Sequence, residues 1–549
     1  MTLHPRYIPD VPEETARVAK AAFRKGNRYM QMRDELGTFF ADEQFADLFP
    51  KVGRLAESPW RLALVTVMQF AENLTDRQAA DAVRSRIDWK YTLSLGLEDE
   101  GFDFSVLSEF RSRLVEHKAQ TRLFEIMLTH FEDRGLLKSR GKQRTDSTFI
   151  LGQVRELNRL EFVGETLRAA FNVLAEVAPT WLKGVIQAEW VERYSRPFNE
   201  WRLPQKDTER LAFGEQIGRD GIALLTQVYA SPNNAELFRL PAVKFLHRIW
   251  VYQFYYDNDQ LRWRRSGNVP SGSQFGHSPY DHDTHFASRR GGGSWIGYRV
   301  HLTETCDEDT PNFITHVETT PAAQTDVETL PIIHQHLAEH HRLPGQHLVD
   351  SGYMSGDMLV SSQVEHSVEV IGPLRGDYSW QKKSQRGYDA SFFTVDFEHE
   401  QATCPQGKVS MSWFPRVDRF DNPVIHIQFR ATDCRACSAR SLCTRSQKYG
   451  RQVVIRRDAS YHAIQMMRQR VATEEFHSIY RLRAGIEGTI SQTVNDLAMR
   501  RTRYRGFAKV DLQHLLTAAA LNLGRVLRWL SGERPPKPRV SAFARLAAA

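Results

Sequence analysis

The sequence predicts an α/β fold in which a mixed β-sheet carries helices on its faces, with a helical N-terminal domain, a helical insertion and a small cysteine-rich insertion. Three observations predict it. The hydrophobic period changes from helical to strand-like at Lys142, strands and helices alternate over residues 295–380, and four of the five cysteines fall between Cys404 and Cys443. A chain of 549 residues is too long for one hydrophobic core, so we expect roughly three or four domains.

Residues 1–140 carry repeated signals for short helices. Ser58 followed by Pro59 fits an N-cap and a first turn, and Thr75 with Gln78 three residues later fits a capping box. Short helices joined by polar turns are typical of helix-turn-helix DNA-binding domains, although compact helical domains with other functions show the same pattern. We predict a DNA-binding domain here.

The first strand of the core is predicted over residues 141–153, where KQRTDSTFIL places Asp146 near the centre of a β-like run. Residues 154–294 are predicted as an insertion, mainly helical and ending in a loop rich in Gly, Ser and His. The core resumes over residues 295–380 with two alternating strands, a helix, a short strand ending at Asp350, a second helix and a last strand.

The remaining segments complete the predicted domain organisation. Residues 381–472 are the cysteine-rich insertion, and residues 473–530 are the last core helices, with Glu487 on a long helix near 473–498. This order of strands and helices is that of an RNase H-like core, provided that the two insertions are set aside. Residues 531–549 are Pro-rich and basic, so we expect a disordered tail.

The positive charge is concentrated near the C-terminus. The net charge is +7 and the pI about 9.0, yet residues 479–549 contain thirteen Lys or Arg against four Asp or Glu, a balance of +9. The rest of the chain is therefore close to −2. A basic block on a near-neutral body favours a local contact with a polyanion, most simply nucleic acid; the alternative is a solvated, soluble face.

No segment predicts a membrane span or a secretory signal. The sequence has no run of about 18 apolar residues, and its first residues, MTLHPRYIPDVPEET, lack a basic segment followed by an apolar one. We therefore expect a cytoplasmic protein without a membrane partner. In such a protein a disulfide framework from five cysteines is disfavoured.

Three acidic residues stand where a two-metal phosphoryl-transfer site would need them. Such a site brings carboxylates onto two ions about 3.5–4 Å apart, and hard oxygen ligands suit Mg²⁺ or Mn²⁺. Asp146 lies inside a strand, where Asp is disfavoured, and Asp350 ends an apolar strand, where α/β sheets place ligands. Glu487 shares one helix face with Tyr480 and Arg483. Each residue alone fits an ordinary surface or turn role, but their order favours a site.

The helix of Glu487 also carries two glycines, Gly485 and Gly488. Glycine inside a helix costs about 1 kcal/mol relative to alanine. Two of them predict the close approach of another backbone, such as that of DNA.

The chain resembles the DDE transposases of bacterial insertion sequences, in particular the type named for insertion sequence 1182. The resemblance extends from about Glu35 to Trp529 and is most specific near the C-terminus. It is carried by RTDST (144–148), HLVDSGY (347–353), YRLRAGIEGTISQ (480–492) and RRTRYRGFAKVDLQHLLTAAALNL (500–523).

The resemblance implies a role for each matching residue. Asp146, Asp350 and Glu487 would be the first, second and third ligands of two Mg²⁺ or Mn²⁺ ions. Tyr480 and Arg483 match the signature tyrosine and arginine, which would contact DNA phosphate near the cleaved end.

The sequence departs from the family signature at Val494, where a lysine usually follows the glutamate by seven residues. Arg500, Arg501 or Lys509 could replace that base. Together with two further arginines, they form a basic, aromatic-interleaved stretch that could follow a phosphate backbone; the alternative is a solvated face on a core helix. The predicted DNA-binding residues are Tyr480, Arg483, Arg500, Arg501, Arg503, Arg505 and Lys509.

The cysteine spacing predicts a structural zinc site. The pattern C-x29-C-x2-C-x5-C includes the CysxxCys pair that commonly presents two thiolates to one tetrahedral zinc, and members of the family carry a similar pattern here. The alternative is four reduced cysteines in a small insertion. The predicted Zn²⁺ ligands are Cys404, Cys434, Cys437 and Cys443.

The predicted function is DNA transposition. The resemblance implies metal-dependent hydrolysis at the ends of a mobile element, which frees a 3′-OH that attacks target DNA in line. Its partners would be double-stranded DNA carrying the terminal inverted repeats, target DNA and a second or further copy of the chain, in the bacterial cytoplasm and at the nucleoid when bound. Two alternatives remain: a nuclease without strand transfer, and a non-catalytic zinc-containing DNA-binding protein.

Overall fold

The chain begins with helices. The structure is a computed structural model that describes residues 2–230, 234–270, 276–289, 292–384, 386–419, 421–533 and 546. A 3-10 helix at Asp42–Leu48 lies among the first helices. The α-helices of this N-terminal region are α1 (Glu13–Ala22), α2 (Arg28–Leu36), α3 (Pro59–Ala71), α4 (Asp76–Ser85), α5 (Ile87–Thr92), α6 (Ser105–Glu116) and α7 (Arg122–Glu132).

Two of the predicted helix starts lie where the sequence places them. Helix α4 begins after Thr75, whose hydroxyl accepts from the Gln78 amide at 3.3 Å while the Gln78 side chain accepts from the Thr75 amide at 2.9 Å. Helix α3 begins at Pro59, but the Ser58 side chain makes no capping hydrogen bond. Helix α3 is buried over nearly all of its length.

The first strand is followed by a mainly helical segment with its own hydrophobic core. Near the end of this segment, Asn258 and Asp259 both adopt positive φ and form the two-residue turn of a β-hairpin. Short 3-10 helices lie at Glu200–Arg202 and Ser266–Asn268. The elements are β1 (Lys142–Leu151), α8 (Arg159–Val177), α9 (Pro179–Val185), α10 (Ala188–Tyr194), α11 (Asp207–Tyr229), α12 (Ala235–Arg239), α13 (Pro241–Gln253), β2 (Phe254–Asp257) and β3 (Gln260–Trp263).

A mixed sheet of six strands lies at the centre of the fold. The strands run in the order β4-β5-β1-β7-β8, with β6 also paired to β5. Strand β1 is antiparallel to β5 and parallel to β7, and β7 is parallel to β8. The elements added here are β4 (His285–Arg289), β5 (Gly292–Thr305), β6 (Ile314–Pro321), α14 (Asp326–Glu339), β7 (Gln346–Leu348), α15 (Gly356–His366) and β8 (Glu369–Ile371).

The cysteine-bearing segment contains a two-stranded and a three-stranded antiparallel sheet, with a hydrophobic cluster of its own. A 3-10 helix lies at Ala390–Phe392. The elements are α16 (Trp380–Lys383), β9 (Thr394–Asp396), β10 (Gln401–Thr403), β11 (Ser412–Val417), β12 (Pro423–Gln428), α17 (Ala431–Arg435), α18 (Arg440–Cys443) and β13 (Gln452–Arg456).

The long helix predicted near 473–498 is divided into two helices joined by a 3-10 turn at Arg481–Ala484. This turn sits immediately before the helix that carries Glu487. The last elements are α19 (Asp458–Val471), α20 (Glu474–Tyr480), α21 (Gly485–Asn495) and α22 (Phe507–Leu530). Of the predicted disordered tail, residues 534–545 and 547–549 lie outside the described residues.

The N-terminal helices and the central sheet are joined through α22. This helix packs on α3, α7 and β6, and one continuous hydrophobic cluster includes residues of all four elements. Phe131 of α7 stacks on Phe313 beside β6, with ring centroids 4.6 Å apart. The N-terminal helices therefore share a core with the sheet.

A buried carboxylate on the sheet forms hydrogen bonds with side chains of α21 and α22. Glu304 of β5 is fully buried and accepts from Arg144 of β1 at 2.7 Å, from Thr489 of α21 at 2.7 Å and from Arg525 of α22 at 2.6 Å. Two guanidinium groups compensate its charge, which a buried carboxylate requires. Over the described part of the chain, no helix is long and apolar enough to cross a membrane.

Candidate active site

Arg483 links two of the three predicted carboxylates. Its Nη2 donates to Asp146 Oδ2 at 2.6 Å, and its Nη1 donates to Glu487 Oε1 at 2.8 Å. Asp146 lies in β1, opposite Leu302 of β5, and its side chain is 16% exposed. Glu487 lies in the first turn of α21 and is 64% exposed. The 3-10 turn before α21 places Arg483 between these two elements.

Asp350 follows β7 by two residues, in the loop after the carboxyl end of that strand. Its Oδ1 accepts from the Gly352 amide at 2.7 Å. A Cβ atom at Gly352 would lie 2.9 Å from this oxygen and 2.8 Å from Oδ2 of Asp326. The two carboxylates therefore converge on the Gly352 backbone, which leaves no room for a side chain there.

Asp326 is the residue of this cluster that the sequence analysis missed. It is the first residue of α14, and its Oδ1 accepts from the Ser147 hydroxyl at 3.0 Å and from Arg299 at 2.7 Å. An acidic residue in the first turn of a helix is usually explained by the helix dipole, so the sequence alone gave no reason to select it. Ser147 follows Asp146 directly, which joins Asp326 to the candidate site.

Burial and neighbouring charges act on Asp146. Burial raises its pKa to about 6, Arg483 and the Ser147 amide oppose this rise, and the charges of Asp350 and Asp326 add to it. A carboxylate in this position is stabilised in its charged form by any further cation. Carboxylate oxygens are ligands that Mg²⁺ and Mn²⁺ prefer. Among the described residues no three carboxylates of this cluster have ligand atoms within 4.8 Å of one another, so joint coordination of one ion would need the side chains to move closer.

Tyr480 faces the same group of side chains. Burial raises its pKa, and the charges of Asp350, Asp146 and Glu487 raise it further against the opposing effect of Arg483. Its ring stacks on Phe476 in α20, with centroids 5.2 Å apart and planes 14° apart. The stacking holds the phenol at the side of the acidic cluster.

The two glycines around Glu487 have different surroundings. A Cβ atom at Gly485 would overlap the guanidinium of Arg144, which donates to the Leu482 carbonyl and to Glu304. A side chain of this protein, not another backbone, therefore accounts for Gly485. A Cβ atom at Gly488 would have nothing within 4 Å.

The predicted basic stretch divides into inward and outward side chains. Arg500 donates to the Thr148 hydroxyl at 3.0 Å and lies 3.8 Å from the centroid of the Phe149 ring. Arg503 lies 4.6 Å from the centroid of the Phe70 ring in α3. The exposed members of the stretch are Arg501, Arg505 and Lys509.

Val494, the position of the family lysine, is half-buried in the last turn of α21. The end of strand β1 pairs with residues 500–502, which follow α21. The Leu151 amide donates to the Arg500 carbonyl at 2.9 Å, and the Thr502 amide donates to the Leu151 carbonyl at 3.0 Å. This pairing fixes the exposed Arg501 at the end of the strand that carries Asp146.

The four cysteines predicted to bind zinc line one cavity of about 460 Å³. Cys404 accepts from the Lys408 amide and Cys434 from the Arg451 amide, each at 3.4 Å. Burial raises the pKa of Cys443 to about 11, and the other three thiols add to the rise. Among the described residues, no three of these sulfurs lie within 4.8 Å of one another. Four cysteine sulfurs are a ligand set typical of structural zinc, but tetrahedral coordination would require the sulfurs to move closer together.

Family models match two separate segments of the chain. Residues 17–113 match the model described as Transposase domain (DUF772), which covers most of the N-terminal helices. Residues 403–527 match the model described as Transposase DDE domain, and this segment includes the four cysteines predicted to bind zinc, Arg483 and Glu487. No curated protein and no solved structure gave a significant match. The two matched segments, at opposite ends of a mixed α/β fold, support a DDE transposase.

Proposed function

We propose that this protein is a transposase that cleaves DNA strands at the ends of its mobile element and transfers them to target DNA, and that it is of the insertion sequence 1182 type. One observation carries the proposal. Arg483 forms ion pairs with Asp146 and Glu487, which are far apart in the chain, and the charge of Asp350 acts on Arg483 and on Tyr480. Glu487 also lies within the segment matched by the DDE domain model.

The arrangement of the sheet supports an RNase H-like core. The strand that carries Asp146 has an antiparallel neighbour on one side and a parallel neighbour on the other, and Asp350 follows the parallel neighbour. Residues 141–153, 295–380 and 473–530 would form this core. Residues 1–140, 154–294, 381–472 and 531–549 would be the DNA-binding domain, the helical insertion, the cysteine-rich insertion and the tail.

The proposed reaction needs two divalent cations. Asp146, Asp350 and Glu487 would hold them, and Asp326 lies close enough to Asp350 to take part. Two Mg²⁺ or Mn²⁺ ions would supply activation of the attacking oxygen and stabilisation of the leaving oxygen.

Arg483 has two roles in this proposal. Without DNA its guanidinium compensates the charges of Asp146 and Glu487. When DNA and cations are bound, the cations would compensate the charges of Asp146 and Glu487. The planar guanidinium of Arg483 could then bind a phosphate oxygen. Tyr480 would hold the same phosphate with its hydroxyl, because it faces the same carboxylates.

The DNA path would begin at the exposed basic residues. Arg501, Arg505 and Lys509 follow the helix of Glu487 in the chain, and phosphate contacts of this kind position DNA without reading its sequence. Arg500 and Arg503, also predicted to bind DNA, would act mainly through their contacts within the protein. Recognition of the terminal repeats would fall to the N-terminal helices, and pairing of two element ends would require a dimer or larger assembly.

Structural zinc in the cysteine segment is part of the proposal. The observation that supports it is the cavity shared by Cys404, Cys434, Cys437 and Cys443. Amide donors already point at two of the sulfurs, an arrangement that stabilises thiolates.

An excision and joining assay tests the proposed reaction. Labelled DNA carrying the repeats that flank the gene is incubated with protein and Mg²⁺, Mn²⁺ or EDTA. The variants are Asp146→Asn, Asp350→Asn and Glu487→Gln, and the matched control is Glu475→Gln, an exposed glutamate of α20. We expect metal-dependent cleavage and joining that all three variants lose while still binding DNA, and that the control keeps.

Other outcomes separate the alternatives. Cleavage with a free 3′-OH and no joined product would identify a nuclease. DNA binding without cleavage under every metal condition would favour a non-catalytic DNA-binding protein. Activity retained in one of the three variants would remove that residue from the proposed ligand set.

A further inference from the structure

Two histidines and a glutamate meet at one edge of the central sheet. His316 and Glu318 are two residues apart on β6, so both side chains lie on the same face of the strand, and His336 reaches them from α14. His316 Nε2 lies 3.0 Å and His336 Nδ1 lies 2.9 Å from the same oxygen, Glu318 Oε2. The two imidazole rings are 5.4 Å apart.

These distances match those between neighbouring ligands of a metal ion. One ligand atom from each residue lies within 4.8 Å of the other two, and no other three His, Cys, Asp or Glu residues in the described part of the chain come this close. When metal–ligand bonds are about 2.0–2.2 Å long, adjacent ligand atoms of a tetrahedral site lie roughly 3.3–3.6 Å apart, so small movements of these side chains would admit an ion. Imidazole nitrogen with carboxylate oxygen is a ligand set that Zn²⁺ and similar transition-metal ions prefer.

We propose that His316, Glu318 and His336 bind one divalent transition-metal ion of the Zn²⁺ class. The site shares no residue with the carboxylate cluster around Arg483 or with the cysteine cavity. The inference therefore does not depend on the proposed transposase reaction.

The surroundings of the cluster favour a cation. Asp511, in the first turns of α22, acts electrostatically on both His336 and Glu318. A second carboxylate near the three residues adds negative charge, which favours a cation. The side chains of His316 and Glu318 are 13% and 15% exposed, while His336 is 38% exposed and leaves a path for an ion to enter.

A bound ion would have a structural consequence for the carboxylate cluster. It would join β6 to α14, and the first residue of α14 is Asp326, which lies beside Asp350 and Ser147. The ion would thus fix the helix that positions Asp326.

The alternative is a metal-free cluster in which Glu318 accepts one N–H hydrogen bond from each imidazole. The two states differ in tautomer, because a metal ion needs an unprotonated nitrogen where the hydrogen bond to Glu318 needs an N–H, and a neutral imidazole then carries its proton on the other ring nitrogen. A cluster held by hydrogen bonds alone should bind no ion at all.

Metal stoichiometry of the full-length protein tests the proposal. We would remove metal with EDTA, then titrate Co²⁺ and Zn²⁺ and measure the bound equivalents. The background carries Asp146→Asn and Asp350→Asn, so that ions at the carboxylate cluster do not contribute. In this background we would compare Glu318→Gln and His336→Gln with His462→Gln, the control, whose exposed imidazole lies 3.0 Å from Asp458.

We expect Glu318→Gln and His336→Gln each to bind one equivalent fewer per chain than the background and the control. Absorption by Co²⁺ bound to thiolates should stay unchanged, which separates this site from the cysteines. Circular dichroism checks that each variant is folded, and His316→Gln provides a third variant if one of the others is not. Equal stoichiometry in all folded variants would overturn the proposal.

Discussion

Arg483 and Asp146 lie 337 positions apart in the chain and form an ion pair with 2.6 Å between Nη2 and Oδ2. The second arm of the same guanidinium holds Glu487 at 2.8 Å. One cation thus balances two carboxylates that belong to different elements of the fold. Replacement of Arg483 should therefore affect the positions and charges of both Asp146 and Glu487.

We predict that Arg483→Ala lowers strand cleavage roughly 100-fold, the usual scale for loss of one positioned donor at a phosphoryl or acyl centre. Arg483→Lys should recover only part of the loss, because an ammonium group cannot span two carboxylates. The measurement is the cleavage rate at saturating DNA. Arg481→Ala, an exposed arginine of the same turn, is the control. A rate for Arg483→Ala equal to that of the control would refute this role.

A second prediction concerns Asp326. We expect Asp326→Asn to lower the cleavage rate by about 10-fold or more and to raise the Mg²⁺ concentration needed for half-maximal rate, as loss of a residue that supports metal ligands usually does. The matched control is Glu328→Gln, two residues away in the first turn of α14, where glutamine preserves the capping box with Thr325. An unchanged metal dependence in Asp326→Asn would exclude Asp326 from the site.

The glycines beside Glu487 give a paired prediction about stability. Gly485→Ala should lower the free energy of unfolding by about 1–3 kcal/mol, because the new methyl group overlaps the Arg144 guanidinium. Gly488→Ala should raise it by up to about 1 kcal/mol, because the position is open and alanine favours the helix. Urea denaturation measures both. A similar loss in the two variants would mean that helix geometry, not Arg144, explains Gly485.

Much of the sheet could be predicted from the sequence, because strand periodicity is local. The run around Asp146 and the two alternating strands after residue 295 lie in β1, β5 and β6. The hairpin turn at Asn258 and Asp259 had a local signal in its two turn residues, but it follows a long segment that is mainly helical.

The break between α20 and α21 could not be predicted in this way. The guanidinium of Arg144 donates to the Leu482 carbonyl, so a residue 338 positions away takes up a backbone acceptor of the turn. Asp326 was missed for a related reason: its position in the chain fits a helix dipole, and only the fold places it beside Asp350. Sequence patterns report local geometry and do not report such distant partners.

The last prediction concerns the stability of the core in acid. His514 of α22 is fully buried, and burial lowers its pKa to about 3. The unfolded chain binds a proton at this histidine below about pH 6.5, while the folded chain stays neutral until about pH 3. The free energy of unfolding should therefore fall as the pH is lowered through this window, by up to about 1.4 kcal/mol per pH unit from this residue.

His514→Gln should make that fall less steep, because glutamine does not titrate. Its side chain can still meet Thr319, whose hydroxyl lies 2.9 Å from His514 Nδ1. Urea denaturation at several values between pH 4 and 7 gives the slope, and His462→Gln, which removes an exposed histidine, serves as the control. If the slope of His514→Gln equals that of the unmodified protein, the acid sensitivity must come from other buried groups, of which His334, also held neutral by burial, is the next to replace.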